Sequence, residues 1–244
     1  MTIFWGEFIG TLLLILLGNG SVANVLLKKS KGEASGWIVI TTAWGFAVAM
    51  AVYTIGWATG GHINPAVTFG FALAGKTPWN ITPIYFLAQL LGAMAGSLLV
   101  WWTYHAHFEK SENKTYKLLI FCTQPAIRRI SWNFVTEVIA TAVLLVGVLG
   151  IFNYHNGLGC GMGPFAVGLL VFSIGLSLGG PTGFAINPAR DLGPRVMHAL
   201  LPIPGKGDSD WDYAWVPILG PLIGSAIGTL IYMYIVKPLI PLAA

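Results

Sequence analysis

From Val138 to Ala189 the chain contains no Asp, Glu, Lys or Arg, a run of 52 residues. Over all 244 residues, 55% are hydrophobic and only 9% are charged, whereas about 25% of the residues of a soluble domain are charged. A soluble domain of this size would need more polar surface, so the composition indicates a polytopic membrane protein. The net charge is +4, but the Lys and Arg residues form no dense group along the sequence. Nucleic acid is therefore not expected as a partner.

Six segments are apolar and long enough to be considered as membrane spans, since a bilayer core of about 30 Å takes about 20 helical residues. They are residues 3–27, 36–57, 83–104, 130–151, 164–178 and 213–236. The first could be a secretory signal, but no Lys or Arg precedes its apolar run and Glu7 lies within it. We therefore predict that it is a spanning helix.

Two shorter segments begin with the same glycine-rich pattern, GGHINPAVTFG at 60–70 and GGPTGFAINPARDLGPR at 179–195. In each, Asn can cap a helix and Pro is favoured at the first helical position. The helices predicted from Asn64 to residue 75 and from Asn187 to about residue 200 would be about 18 and 21 Å long at 1.5 Å per residue. Each would cross only part of the membrane.

The order of features repeats along the chain. Glu137 follows Glu7 by 130 residues and Asn187 follows Asn64 by 123. Each half contains three spans, an odd number, so the second half must be inserted in the opposite orientation. We predict one channel domain, 1–244, made of inverted repeats 1–108 and 130–244 that are joined by the polar loop 109–129.

Two half-helices that enter from opposite faces would meet start to start at the membrane centre. Their positive dipole ends, each equivalent to about half a charge, would converge there. The two Asn side chains would add N–H donors, and non-helical backbone at this depth must line a cavity or be buried in protein. The backbone carbonyls expected along the path belong to the two segments that precede Asn-Pro-Ala: Gly60, Gly61, His62, Ile63, Gly183, Phe184, Ala185 and Ile186. Such a path suits small neutral molecules with hydroxyl groups and opposes cations.

The paired Asn-Pro-Ala motifs, the second continued as NPARDLGP, and the six-plus-two layout resemble the aquaporin superfamily over essentially the whole chain. One Asn-Pro-Ala alone would mean little, but two copies in an inverted repeat form a specific pattern. The resemblance implies an all-α membrane fold, ion exclusion by an arginine and the half-helix dipoles, as in aquaporin-type pores, and a homotetramer with one pore per subunit.

The resemblance also implies roles for individual residues. The motif residues are Asn64, Pro65, Ala66, Asn187, Pro188 and Ala189. The constriction would be formed by Trp44, Gly175, Phe184 and Arg190, and the re-entrant loops would be supported by Glu7, Glu137 and Asp191. A charged group in the middle of a span is costly, so neither glutamate should face lipid. His62 could either pack or line the pore, and a structural role is expected for His198.

Within the superfamily, the chain resembles the glycerol-conducting branch. Water-selective members carry His and a bulky aromatic where this chain has Gly175 and Trp44, and Asp191, Pro217 and Ile218 also fit the glycerol branch. We expect passive conduction of glycerol and some water, in contact with membrane lipid, with no enzymatic activity, cofactor or metal. Urea, dihydroxyacetone, hydrogen peroxide and undissociated lactic acid fit the same gate.

Three alternatives stay open at this stage. A water-selective or small-organic-acid channel would share the fold. An ion-coupled secondary transporter could use the same inverted repeat, but the second half offers only Glu137 and the pair Arg190 and Asp191 as ionisable groups at depth. A membrane enzyme is disfavoured because no cluster of His, Cys or carboxylates suits catalysis.

The charges of the loops conflict with the family's orientation. Nine of the 13 Lys and Arg lie in or beside the loops after spans one, three and five, which the positive-inside rule would place in the cytoplasm. The resemblance implies the opposite, with both termini cytoplasmic, and a bacterial cell membrane is expected. Cys122 and Cys160 would then lie on opposite faces, so we predict that they do not pair.

Overall fold

The computed structural model describes residues 1–158 and 161–239, and these form α-helices with no β-strand among them. Five helical stretches of the described residues are long and apolar enough to cross a membrane, the last of them Val216–Leu239 with its terminal turns, and the stretch Met162–Ser177 is shorter, with 16 residues. The helices are α1 (Thr2–Leu26), α2 (Trp37–Thr59), α3 (Pro65–Leu73), α4 (Thr82–Thr103), α5 (His105–Lys110), α6 (Lys114–Leu119), α7 (Ile130–Ile151), α8 (Met162–Ser177), α9 (Pro188–Leu200) and α10 (Val216–Ile231).

Both half-helices begin where the sequence predicts. The Asn64 side-chain oxygen accepts a hydrogen bond from the backbone N–H of Ala66 at 2.8 Å, and Pro65 is the first residue of α3. The Asn187 side chain accepts from the N–H groups of Ala189 and Arg190 at 3.1 and 3.2 Å, which caps α9 in the same way. With nine and 13 residues, α3 and α9 are half-length helices.

The spanning helices approach closely at glycines. A Cβ on Gly92 of α4 would overlap the carbonyl oxygen of Phe8 on α1, and one on Gly224 of α10 would overlap that of Val138 on α7. Each of these glycines is followed four residues later by another glycine, Gly96 and Gly228, and such small-xxx-small runs let helices of one subunit cross closely. Phe8 and Val138 are 130 residues apart, the offset of the two glutamates.

The two halves meet where α2 crosses α8. A Cβ on Gly45 would lie 2.7 Å from the carbonyl oxygen of Gly168, and a Cβ on Gly168 would lie 2.6 Å from that of Gly45. The contact is reciprocal, and the two glycines are 123 residues apart, the offset of the two Asn-Pro-Ala motifs.

The segment 105–129 differs from the long polar loop that its sequence suggests. It contains the short helices α5 and α6, and it buries Phe108, Ile120 and Phe121 completely. The reason is that these apolar residues are interspersed with Lys and Glu, so the average composition hides a small core. Cys122 is also buried, while Cys160 lies outside the described residues, so the prediction about their pairing stays a prediction.

The last helix differs from the predicted span 213–236 at both ends. It begins at Val216, and after Ile231 the chain continues as a π-helical turn, Tyr232–Val236, rather than as α-helix. The sequence could not distinguish these two helical forms, because the same run of apolar residues is compatible with either of them.

Candidate functional site

The segment before the first Asn-Pro-Ala is held by a buried carboxylate. Glu7 Oε1 accepts hydrogen bonds from Thr59 Oγ1 at 2.6 Å and from the backbone N–H of His62 at 3.1 Å. Its Oε2 accepts from the N–H of Ile63 at 2.7 Å and from Gln89 Nε2 at 2.8 Å. Glu7 is fully buried in protein and does not face lipid, and four donors compensate the cost of its burial.

Glu137 performs the same task for the second segment. Its Oε1 accepts from Thr182 Oγ1 at 2.7 Å and from the N–H of Ala185 at 3.0 Å, and its Oε2 accepts from the N–H of Ile186 at 2.9 Å. Each of these partners follows its counterpart around Glu7 by 123 residues. Among the described residues the fourth donor, Gln89, has no equivalent near Glu137, which has three hydrogen-bond partners there, whereas Glu7 has four.

These carboxylates restrain strained backbone. Ile63 and Ile186 have φ values of 45° and 44°, and Phe184 has 39°. Positive φ is unfavourable for bulky and β-branched residues, and it persists only where the surroundings impose it. The hydrogen bonds to Glu7 and Glu137 supply that restraint for the two isoleucines.

The starts of α3 and α9 are joined by two exchanged hydrogen bonds. Asn64 Nδ2 donates to the carbonyl oxygen of Ile186 at 2.8 Å, and Asn187 Nδ2 donates to that of Ile63 at 2.9 Å. The two motifs therefore lie side by side. Because an amide carries two N–H groups, each asparagine retains one donor beyond this contact.

A cavity runs past this junction, and its empty space, together with the solvent that opens onto it, is about 680 Å³. Both motif asparagines and most of the residues that precede them contribute to its wall, although Gly183 does not. The residues that line it are Leu14, Trp44, Val48, Val52, Gly60, Gly61, His62, Ile63, Asn64, Val67, Phe71, Leu144, Val148, Phe152, Val167, Val171, Phe184, Ala185, Ile186, Asn187 and Arg190.

Three of the four predicted constriction residues line the cavity together. The Arg190 guanidinium lies over the Trp44 ring, with Cζ 4.3 Å from the ring centroid, and the rings of Trp44 and Phe184 are 6.5 Å apart and nearly perpendicular. Among the described residues, neither Trp44 Nε1 nor Arg190 Nη1 has a hydrogen-bond partner. Two buried donors therefore have no partner in the described part of the protein, and they lie beside flat apolar walls.

Gly175, the fourth predicted residue, contributes through its lack of a side chain. It does not itself line the cavity, but a Cβ there would lie 3.0 Å from Phe184 Cζ and 2.9 Å from Thr41 Cγ2. Gly18 of α1 makes room for Trp44 in the same manner, because its Cβ would lie 2.6 Å from the indole ring. Sequence reasoning did not single out Gly18.

The other end of the cavity lacks these polar and aromatic groups at equivalent positions. The residues 123 positions before Arg190 and Phe184 are Val67 and Gly61, and the residue 123 positions after Trp44 is Val167. All three line the cavity. The end near Arg190 is thus charged and aromatic, whereas the matching positions at the other end are apolar.

His62 both packs and lines the cavity, so the two interpretations of this residue are compatible. Its ring stacks on Tyr85 at 4.5 Å, and Nδ1 lies 3.1 Å from Thr68 Oγ1. It is only 5% exposed. His198 is fully buried with its Nδ1 2.8 Å from Ser209 Oγ, and it does not line the cavity.

Asp191 is part of a buried network that the sequence did not reveal. Its Oδ2 accepts from the backbone N–H and the hydroxyl of Thr123 at 2.8 and 2.7 Å, and its Oδ1 accepts from Arg195 Nε and Nη2 at 2.9 and 2.7 Å. Arg195 Nη2 also donates to the carbonyl oxygen of Thr123 at 3.0 Å. The Asp-x-x-x-Arg spacing within α9 was the available signal, while the partner from segment 105–129 could not be identified from it.

Several basic residues of the lysine-rich loops bond to the protein itself. Lys206 Nζ donates to the carbonyl oxygens of His198, Ala199 and Leu201 at 2.6 to 2.7 Å, which caps the end of α9. Lys117 Nζ donates to the carbonyl oxygen of Pro204. These cations therefore stabilise loops around the half-helix.

Fold and site together define an all-α integral membrane protein with a cavity that passes between two half-helices. A family model described as major intrinsic protein matches residues 2–232. The chain belongs to this family. The paired Asn-Pro-Ala motifs of the sequence pointed to the same family.

Individual relatives agree with this assignment. The chain is 58% identical over 235 residues to the probable glycerol uptake facilitator protein of Thermotoga maritima, covering 96% of this chain and 100% of that one. It is 52% identical over 234 residues to a glycerol uptake facilitator protein of Streptococcus pneumoniae, with 95% and 98% covered. The X-ray structure of the aquaglyceroporin from Plasmodium falciparum matches with a TM-score of 0.89 and 32% identity over 99% of each chain.

Proposed function

We propose that this protein is a passive channel for glycerol and other small uncharged solutes, with some water flux. One observation carries the proposal: Arg190, Trp44 and Phe184 line the same cavity as the two Asn-Pro-Ala asparagines. The names of its relatives as glycerol uptake facilitators point to the same solute.

The wall chemistry matches a polyol. Glycerol has a hydroxyl edge and a carbon edge, and Arg190, which lines the cavity, carries guanidinium N–H donors for the first. The faces of Trp44 and Phe184 provide an apolar surface for the second. A water molecule can form hydrogen bonds to the donors but gains nothing from the apolar surface. This arrangement therefore favours glycerol, the larger solute.

Ions are excluded by charge and by desolvation. The starts of α3 and α9 direct their positive dipole ends at the middle of the path, and Arg190 adds a full positive charge at one end. A cation would lose its hydration shell in the cavity without gaining a negative side chain, because Glu7 and Glu137 are fully buried and occupied by donors.

The assignment as a channel leaves no role for catalysis, and the major intrinsic protein family is one of channels and facilitators. An ion-coupled transporter needs an ionisable group that changes its partners along the path. Asp191 is instead bound to Arg195 and Thr123 outside the cavity lining, which favours the channel.

The assembly and topology of the channel are part of the proposal. We infer a homotetramer in a bacterial cell membrane with both termini in the cytoplasm, formed by inverted repeats 1–108 and 130–244. The matched contacts of Glu7 and Glu137 support the repeat. Lys206 and Lys117 are bound to backbone carbonyls, so the positive loops can lie outside, against the charge rule.

The decisive experiment is stopped-flow light scattering of proteoliposomes in gradients of glycerol, urea, dihydroxyacetone and lactic acid. We expect glycerol permeability well above that of protein-free liposomes, without saturation and without dependence on a proton gradient. Flux that requires a proton gradient would contradict the channel, and water flux without glycerol flux would indicate a water-selective pore.

Arg190→Val tests ion exclusion in the same vesicles, because Val is the residue at the matching position 67. We expect a proton or cation leak, measured with an internal pH dye, that is absent in the wild type. Val67→Leu serves as a control, since it changes the wall at the matching position without changing charge.

A further inference from the structure

Phe152 is a large aromatic that lines the cavity at a position no motif predicts. It is 48% exposed, and it ends α7, where its backbone N–H donates to the carbonyl oxygen of Val148 at 3.2 Å. Other exposed aromatics of the chain, such as Phe46, Tyr53 and Trp57, do not line this cavity.

The position of Phe152 along the path follows from helix geometry. Leu144, Val148 and Phe152 line the cavity at intervals of four, so they form one stripe on α7 about 12 Å long. Trp44, Val48 and Val52 form such a stripe on α2. Both helices run in the same direction, because α2 is the second crossing and α7 the fourth.

Trp44 lies in the first part of α2, and Phe152 lies at the very end of α7. With the two helices running in the same direction, these aromatics stand at opposite ends of the cavity. Phe152 thus marks the mouth distant from Arg190.

The ring of Phe152 is held in place by a glycine. A Cβ on Gly163 of α8 would lie 2.6 Å from Phe152 Cε1 and 3.3 Å from Cζ, so the ring rests directly on the backbone of α8. The repeat does not require an aromatic here, because the residue 130 positions earlier is Val22, which is buried and does not line the cavity.

We propose that Phe152 is a second specificity-determining residue, which selects solutes at the mouth opposite Arg190. This inference rests on the proposed function. Val148 and Val167 contribute apolar wall to the same half. A polyol leaving the carbonyl-lined path places its carbon edge against the ring, and the ring limits the cross-section for longer polyols.

The test compares Phe152→Ala and Phe152→Trp in proteoliposomes with water, glycerol, a four-carbon and a five-carbon polyol. We expect Phe152→Ala to raise the five-carbon to glycerol permeability ratio about threefold or more. Phe152→Trp lowers glycerol flux about threefold and water flux by less. Tyr154→Ala is the matched control, since Tyr154 is 82% exposed two residues later and lines no part of the cavity.

A double-mutant cycle separates this role from a structural one. Gly163→Ala pushes the ring of Phe152 and lowers glycerol flux in the wild-type background, but it has little effect in Phe152→Ala, where the ring is absent. If all Phe152 and Gly163 variants keep the permeability ratios of Tyr154→Ala, the inference is wrong. If the wild type conducts no glycerol, the proposed function itself fails.

Discussion

The guanidinium of Arg190 lies over the indole of Trp44, with its Cζ 4.3 Å from the ring centroid. Arg190 is only 6% exposed, and among the described residues its Nη1 has no hydrogen-bond partner. The indole therefore contributes to the orientation of this cation, and a desolvated cation–π contact is worth about 2 kcal/mol. The selectivity of the constriction should depend on this pair.

Replacing Trp44 by Ala should lower the glycerol to water permeability ratio about tenfold, a change that corresponds to about 1.4 kcal/mol. The substitution removes both the orienting contact of Arg190 and the apolar wall, while water needs neither. Trp44→Phe keeps a flat wall and should lose less. Light scattering of proteoliposomes measures both fluxes.

Trp57→Ala is the control for this prediction, because Trp57 lies on the same helix but is 86% exposed and outside the cavity. An equal loss of selectivity in both alanine variants would show that the effect comes from α2 as a whole.

The two buried glutamates should differ in their tolerance of substitution by Gln. All partners of Glu137 are donors, so the amide group of Glu137→Gln would face a donor and leave it unpaired, at a cost of about 1–3 kcal/mol. Glu7→Gln would also face a backbone donor, the N–H of Ile63 or of His62, but it has a partial remedy: Gln89 Oε1 is buried without a partner among the described residues, and rotation of that amide would present this oxygen to the new N–H group.

We therefore expect Glu137→Gln to lower the thermal unfolding temperature in detergent more than Glu7→Gln. Glu109→Gln should cause almost no change, since Glu109 is exposed and contacts only His105. Tryptophan fluorescence during heating gives the comparison. The reverse order for the two buried glutamates would contradict the role assigned to Gln89.

Local rules predicted the parts of the fold that depend on neighbours in sequence. The Asn-Pro start of each half-helix and the bounds of Ile130–Ile151 follow from capping and from the apolar run. The helices of segment 105–129 were missed because their stability comes from burial of Phe108 and Phe121 under other elements, which no window of the sequence contains.

The site was predictable to the extent that a motif carried it. Trp44, Phe184 and Arg190 were expected and lie together. Thr123, which bonds to Asp191 from 68 positions away, could not be found, because nothing local marks a threonine as the partner of a buried carboxylate. Phe152 was missed for a related reason, since apolar residues at the end of an apolar helix are unremarkable in sequence.

Cys122 should be unreactive in the folded protein over the pH range in which free cysteines are alkylated. Burial raises the pKa of the Cys122 thiol well above its ordinary value, so the thiolate that reacts is scarce, and the side chain is inaccessible. A raised pKa means that the alkylation rate should stay low between about pH 7 and 8.5, where an exposed thiol reacts faster with each rise in pH.

The measurement uses the Cys160→Ser variant, in which Cys122 is the single cysteine. Mass spectrometry after maleimide treatment should show almost no label in detergent that preserves the fold and complete label in SDS. Rapid labelling of the folded protein, rising with pH, would show that segment 105–129 opens in solution.

Gly175→Ala should reduce glycerol flux more than water flux. A Cβ at this position would lie 3.0 Å from Phe184 Cζ and 2.9 Å from Thr41 Cγ2. Because Thr41 is fully buried and its hydroxyl is bonded to the carbonyl oxygen of Ile38, we expect the Phe184 ring to shift toward the cavity that it lines. A shift of this ring narrows the cross-section beside Phe184, which hinders glycerol more than the smaller water molecule. We therefore expect about a threefold loss of glycerol flux and a smaller loss of water flux. Gly180→Ala is the matched control, since a Cβ at Gly180 would have no atom within 4 Å, and it should change neither flux. Equal reduction of both fluxes in Gly175→Ala would mean that the substitution disturbs the pore as a whole rather than the Phe184 wall.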